Sequence, residues 1–434
     1  MLLKFTCKNY KTFKTGIVLS LLPNDSSEMS YSLITSNTVD KAYKGLCSAV
    51  IYGPNAAGKS NLISAMETLR YFVLQGLNNL DYKTASRSPL LFSNFKSKED
   101  KPVELSISFI TENMLFKYSI AFRAIKTDAE ESYDSCTVVS ERLDINSELV
   151  FNRVVGKRQL SINSNNRILL QFAPDITKGI VRDKEILNAN LSPTDLFLTN
   201  GFKNFICLKL VEIILTWFEK QFLPIYNSQK QQLFLSGEYE DGKFISLPAS
   251  ILNAVQMIGG DNKIGYKKDL HADFPTKTSI ITKGNKSYTI ASNLVESLGT
   301  LRFLDIFPLV ISAFQQGSTL IIDELDASVH PQVIASLIGA FHNPQINTRG
   351  AQLIFNTQNP VFLNKALFRK DEIYFVEKNR RTLNSELYSL ADLPEGPYTK
   401  NDFMMNYLKE RYGAMPEIDI SRVLLRSFRE GAQK

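Results

Sequence analysis

Gly53-Pro54-Asn55-Ala56-Ala57-Gly58-Lys59-Ser60 fills the pattern Gly-x-x-x-x-Gly-Lys-Ser/Thr. In that loop, successive backbone N–H groups and a helix N-terminus cradle phosphate. Upstream, Ser48-Ala49-Val50-Ile51-Tyr52 is an almost wholly apolar run and predicts a short buried strand. Downstream, from Asn61 to Gln75, Leu62, Ile63, Met66, Leu69, Tyr71 and Phe72 recur at helical spacing, which predicts a helix with one apolar side. Strand, loop and helix in that order are the context the loop requires. The backbone of Gly53, Asn55, Ala56 and Gly58 then faces phosphate, with Asn61 in the first helical turn. Lys59 is expected on the β- and γ-phosphates and Ser60 on Mg²⁺, so ATP and Mg²⁺ are the expected cofactors.

A second stretch turns a nucleotide binder toward hydrolysis. Thr319-Leu320-Ile321-Ile322 is β-branched and apolar, and Asp323-Glu324 follows at once. A buried parallel strand reads this way. Its C-terminal end delivers Asp323 to the Mg²⁺ shell. Glu324 suits a base that polarises the attacking water. Taken alone, a strand ending in solvated acids gives the same pattern; the phosphate loop is what makes the pair informative.

The spacing narrows the class. Ser60 and Asp323 lie 263 residues apart, far more than in a small kinase or GTPase. So long an interval is typical of ABC-type ATPases, whose sites are completed by a second subunit. Such sites need a serine–glycine signature at a helix start. Asn293-Leu294-Val295-Glu296-Ser297-Leu298-Gly299-Thr300 supplies it, 26 residues ahead of Asp323, and Leu301 to Phe314 reads as the helix. Ser297 and Gly299 are expected to meet a γ-phosphate held by the other protomer. A plain helix cap would also explain Ser-x-Gly-Thr in isolation.

The resemblances extend along the chain. Phe5 to Phe13, with Asn9-Tyr10-Lys11-Thr12-Phe13, resembles the N-terminal strand pair of RecF-type recombination ATPases. Glu324-Leu325-Asp326-Ala327-Ser328-Val329-His330-Pro331 resembles the acidic strand and D-loop of OLD and RloA-like ABC ATPases, and Ala351 to Thr357 their last core strand. Arg411-Tyr412-Gly413-Ala414-Met415-Pro416 is similar to the Gly-Arg-Tyr-Gly-Ala-x-Pro segment of RloA-like proteins. The likeness is weakest between 175 and 265. It implies an ABC-type head ATPase of anti-phage defence, beside a nuclease or other effector. It also implies nucleotide contacts from Lys11, Thr12 and His330. One position departs: where the family has a switch histidine, Thr357-Gln358-Asn359 carries glutamine. Gln358 can donate a hydrogen bond to a γ-phosphate but takes up no proton, so slow hydrolysis is expected. Gln75 lies on the first helix, and the glutamine-loop role stays unassigned.

Composition bounds the rest. The chain has 434 residues, 44% hydrophobic and 22% charged, with a formal net charge of +6. Those values are ordinary for a globular chain and permit, without requiring, nucleic-acid contact. Lys4, Lys8, Lys11 and Lys14 cluster near the start, as a charged strand face also would. Cys7, Cys47, Cys136 and Cys207 form no Cys-x-x-Cys pair, and three histidines complete a poor zinc set. Unpaired thiols in a reducing cytoplasm are expected. Neither a signal peptide nor a membrane span is read; Leu208 to Phe218 is apolar but carries Lys209 and Glu212.

The fold class is α/β: an ABC-type phosphate-loop ATPase head with an antiparallel β subdomain and an inserted helical subdomain. The expected lobes are 1–175, with the phosphate loop and an antiparallel sheet over 101–165; 176–265, helical; and 266–434, with signature, acidic strand, D-loop and switch. Trp217, Phe218, Phe222, Tyr226 and Asn227-Ser228-Gln229-Lys230 could offer a partner face, but the preferred reading is that the aromatics form the insert's own core. Only about a hundred residues follow the acidic strand, and no spaced acidic cluster follows Asp371-Glu372. A nuclease centre is therefore expected in a separate effector polypeptide. The expected assembly is a homodimer or higher oligomer. A RecF-like, ATP-gated DNA-binding protein of repair is the alternative, and a transporter ATPase is a third.

Overall fold

The computed structural model describes residues 1–77, 101–125, 135–174, 184–225, 243–268, 276–283, 286–394, 396 and 402–415, with 420, 421, 424 and 427. Its centre is a six-stranded sheet. The strand order is Phe222–Ile225, Thr319–Ile322, Gln352–Asn356, Ser48–Tyr52, Ile373–Lys378, Ser385–Ser389. Every neighbouring pair is parallel except the last. The acidic strand, its neighbour Gln352–Asn356 and the phosphate-loop strand are buried at every residue, because helices or a second sheet cover both faces. Parallel strands send all their C-terminal ends to one edge, the edge at which open α/β sheets bind ligands.

A seven-stranded antiparallel sheet lies against one face. Its order is Gln159–Ile162, Glu148–Val154, Ser135–Ile145, Met114–Ile125, Val103–Thr111, Leu2–Lys8, Ile17–Ser20. Alternation decides its faces: Leu105, Ile107 and Phe109 are buried while Glu104 is exposed. The buried face packs on the phosphate-loop helix, Lys59–Gln75, where Phe72 meets Phe122 edge-on at 5.0 Å. A smaller sheet, Phe244–Ser246, Lys263–Lys267, Thr276–Lys283, Lys286–Ala291, shares a third core with the helices Ala249–Met257 and Leu298–Gln316. The fold is thus the α/β head expected, but its antiparallel sheet also takes in Leu2–Lys8 and Ile17–Ser20, and the region 176–265, expected to be helical, contributes the strands Phe222–Ile225 and Phe244–Ser246 and most of Lys263–Lys267.

The segment after the helix Leu208–Thr216 departs from a plain helical pattern. A π-helical turn, Trp217–Gln221, ends it, and Phe222–Ile225 then joins the edge of the central sheet. Trp217 stacks on Phe109 at 3.7 Å and on Phe222 at 5.2 Å. The core reading of Trp217, Phe218 and Phe222 holds, since all three are buried, but the core is shared with Phe109 of the antiparallel sheet and is not the insert's own, as large aromatics fill the gap between helix and sheet better than water does. Tyr226 and Asn227 to Lys230 lie outside the described residues. Of the segment 411–416, Tyr412 and Ala414 are buried in the core on the far face of the central sheet; Pro416 is not among the described residues.

The four cysteines are buried and free. Among the described residues, one helix, Leu298–Gln316, is long and apolar enough to cross a membrane. Its Phe303 and Leu304 pack with the small sheet, and Val310 and Ala313 with the acidic strand's core.

Candidate nucleotide site

The phosphate loop bulges between the strand Ser48–Tyr52 and the helix Lys59–Gln75. Two glycines make its path possible. Gly53 has φ +151°, and a Cβ there would stand 2.3 Å from the Val376 carbonyl oxygen. Gly58 has φ +119°, and a Cβ would stand 2.9 Å from Thr12 Oγ1. Asn55 and Ala56 form the exposed tip, Ala56 in left-handed conformation at φ 61°. Lys59 Nζ donates to the carbonyls of Gly53 (2.6 Å) and Pro54 (3.0 Å). Burial pushes its pKa down, against the pull of Glu324, Asp323 and Asp326. Ser60 is half-buried in the first helical turn.

The N-terminal segment joins this loop although dozens of residues separate them. Asn61 Nδ2 donates to Thr12 Oγ1 at 2.9 Å, and the Ser385 N–H donates to the Thr12 carbonyl at 2.8 Å. The Ser385 hydroxyl also holds the Ala57 carbonyl. Tyr10 bonds Ser64 and Thr68 on the helix, and Lys11 Nζ donates to Ser64 Oγ at 2.9 Å. The lysine cluster of the sequence therefore divides. Lys8 pairs with Glu104 on the outer sheet and Lys14 reaches the Thr382 carbonyl, while Lys11 enters the site.

Burial lowers the Lys11 pKa to about 8, with Glu67 and Asp323 pulling it upward. A measurable pH dependence follows. The protonated amine favours a bound anion, so ATP affinity is expected to fall as pH rises through about 8. Lys11→Met should flatten that limb in calorimetric titrations between pH 7 and 9. An unchanged profile would remove Lys11 from the ligand's surroundings.

Asp323 and Glu324 follow the acidic strand at the sheet's C-terminal edge. Asn356, at the end of the adjacent strand, holds both: its Nδ2 donates to Asp323 Oδ1 at 2.5 Å, and its Oδ1 accepts from the Glu324 N–H at 2.6 Å. Glu324 is exposed, with φ 50°, so its side chain leaves the strand direction. Asp326 Oδ2 accepts from Thr357 Oγ1 at 2.8 Å, and burial raises its pKa. Arg302 Nη2 donates to the carbonyls of Asp323 (3.1 Å) and Glu324 (3.0 Å). The Ser60 hydroxyl and the Asp323 carboxylate, the latter held by an amide, are oxygen donors of the kind Mg²⁺ takes. The glycine-lined bend and Lys59 fit a triphosphate, so ATP·Mg²⁺ suits the residues present.

Gln358 is exposed two residues beyond the strand Gln352–Asn356. That strand lies between the phosphate-loop strand and the acidic strand, so Gln358 sits at the edge bearing Lys59 and Glu324. The signature stands elsewhere. Ser297 caps the helix Leu298–Gln316, its Oγ accepting from the Thr300 N–H at 3.0 Å. A Cβ on Gly299 would stand 2.5 Å from the Ser328 carbonyl, so signature and D-loop abut. His330 is exposed and caps the next helix, Pro331–His342, through Nδ1. Among the described residues, no hydrogen bond joins Ser297, Gly299 or His330 to the phosphate loop. Sequence reasoning missed Asn356, Arg302 and Ser385, whose roles rest on partners tens to hundreds of residues away.

Residues 48–364 match the family model described as AAA domain, putative AbiEii toxin, Type IV TA system. The chain belongs to that family. The AbiEii-like match opens on the phosphate-loop strand and closes beyond Gln358, so it encloses both acids and the signature. The AbiEii-like chain thus carries a phosphate-loop ATPase domain. No curated protein matches it. The SMC head domain from Thermotoga maritima aligns at 13% identity over 89% of this chain and 98% of that one, with a TM-score of 0.35; a superposition that loose decides nothing further.

Proposed function

We propose that this ATPase binds ATP·Mg²⁺ between two head-to-tail protomers and uses the bound state to control a separate effector, a nuclease or toxin, in RloA-like anti-phage defence. The observation that carries the reading is the exposure of a finished signature. Ser297 is exposed and capped, and its flanking Leu294 and Leu298 are 75% and 74% exposed, the apolar surface a second copy would cover. The family's description, which names a toxin of a type IV toxin–antitoxin system, supports a defence context. In this reading Lys59 and the loop amides bind phosphate, and Ser60 and Asp323 hold Mg²⁺. The metal supplies neutralisation of charge on the phosphates. Glu324 accepts the proton of the attacking water. Gln358 reports the γ-phosphate through a neutral amide, weaker than a charged imidazolium, so turnover is slow. Ser297 and Gly299 close the site from the partner.

The test is complementation. Ser297→Arg and Lys59→Ala proteins should each be inactive alone. Mixed in equal amounts, they assemble one site with both faces intact and should regain part of the ATPase rate. No recovery in a mixture whose two variants associate into heterodimers with ATP would overturn the composite site.

A further inference from the structure

The geometry points to Glu296 as a positioning residue that fixes Ser297 by latching the signature turn to the small four-stranded sheet. The inference rests on the composite-site reading and deepens it. Glu296 Oε1 accepts from Asn262 Nδ2 at 2.9 Å and from Ser279 Oγ at 2.8 Å. Ser279 is wholly buried, and its hydroxyl also meets that of Ser292, likewise buried, at 2.9 Å. The backbone closes on the same point: the N–H groups of Val295 and Glu296 both donate to the Ser292 carbonyl, at 3.2 and 2.8 Å. The turn 292–296 is thus tied at its first residue by a hydroxyl and at its last by a carboxylate.

Ser297 comes next in the chain, and its hydroxyl is engaged ahead by the Thr300 N–H and Oγ1. It is held from both sides although it is exposed. A group meeting a partner's ligand gains from such preorganisation, since its rotational freedom is spent before the partner arrives. A carboxylate accepting two hydrogen bonds is a stronger tie than a neutral acceptor. Asn262 borders the strand Lys263–Lys267, and Ser279 lies in Thr276–Lys283, the neighbour of the exposed edge strand Lys286–Ala291. The small sheet is therefore the element whose position Ser297 follows.

The experiment reads ATP-dependent dimerisation by sedimentation in a Glu324→Gln background. Glu296→Ala should weaken the dimer about tenfold or more, the scale of a lost hydrogen bond to a charged group. It should leave the protomer's own ATP affinity unchanged. Glu296→Gln keeps one acceptor oxygen and should restore most of the dimer. Ser279→Ala, which removes one donor without touching the carboxylate, should weaken dimerisation in the same direction even if Glu296→Ala unfolds. Wild-type dimerisation in Glu296→Ala, with none in Ser297→Arg, would overturn the latch and spare the composite site. Wild-type dimerisation in Ser297→Arg would overturn both.

Discussion

Lys59→Ala is expected to abolish tight ATP binding. Lys59 Nζ already sits within 2.6 Å of the Gly53 carbonyl, inside the bend that Gly53 and Gly58 keep free of side chains. An ammonium there makes charge-assisted hydrogen bonds with phosphate oxygens, each worth about 1.5–3 kcal/mol. Losing two costs at least about 3 kcal/mol, more than a hundredfold in affinity. Burial already works against the lysine's charge, so its loss should not unfold the chain, and thermal melting checks this. Calorimetry that finds wild-type affinity in a folded Lys59→Ala protein would end the phosphate-loop assignment.

Glu324→Gln is expected to keep ATP binding while hydrolysis falls by about two orders of magnitude or more, the scale of a lost general base. Gln matches Glu in size and leaves the backbone bond from residue 324 to Asn356 intact, so the change falls on proton acceptance alone. An ATP-bound dimer should accumulate, visible by light scattering with ATP and absent with ADP. Undiminished turnover would make Glu324 a structural residue and leave the attacking water to another group.

Local signals in the sequence read well because local chemistry sets them. The strand predicted at 48–52 is there, the helix begins at Lys59, and the acidic strand spans Thr319–Ile322 as its β-branched run implied. The signature helix extends from the predicted 301–314 to Leu298–Gln316, since a serine cap and a left-handed glycine, Gly317, set its ends more widely than apolar spacing suggests. Elsewhere the sequence carries no sign of what matters. An asparagine after Phe355 looks like any polar residue, yet Asn356 binds both halves of Asp323-Glu324 across 33 and 32 residues. Ser385 braces a loop 328 residues earlier. Trp217 and its neighbours had two readings, and only the position of Phe109 decides between them.

That stacked pair bears on how the chain can be taken apart. The buried core around the phosphate-loop helix draws Leu196, Phe197, Phe202, Leu210, Trp217 and Phe222 from the helical region into the same cluster as Phe72, Phe109 and Ile321. Excising 176–265 to make a smaller ATPase would therefore bare aromatic rings of the antiparallel sheet and strip the edge strand Phe222–Ile225 from the acidic strand. A shortened head would begin life with a hole in its middle and an unpaired β edge beside its two acids.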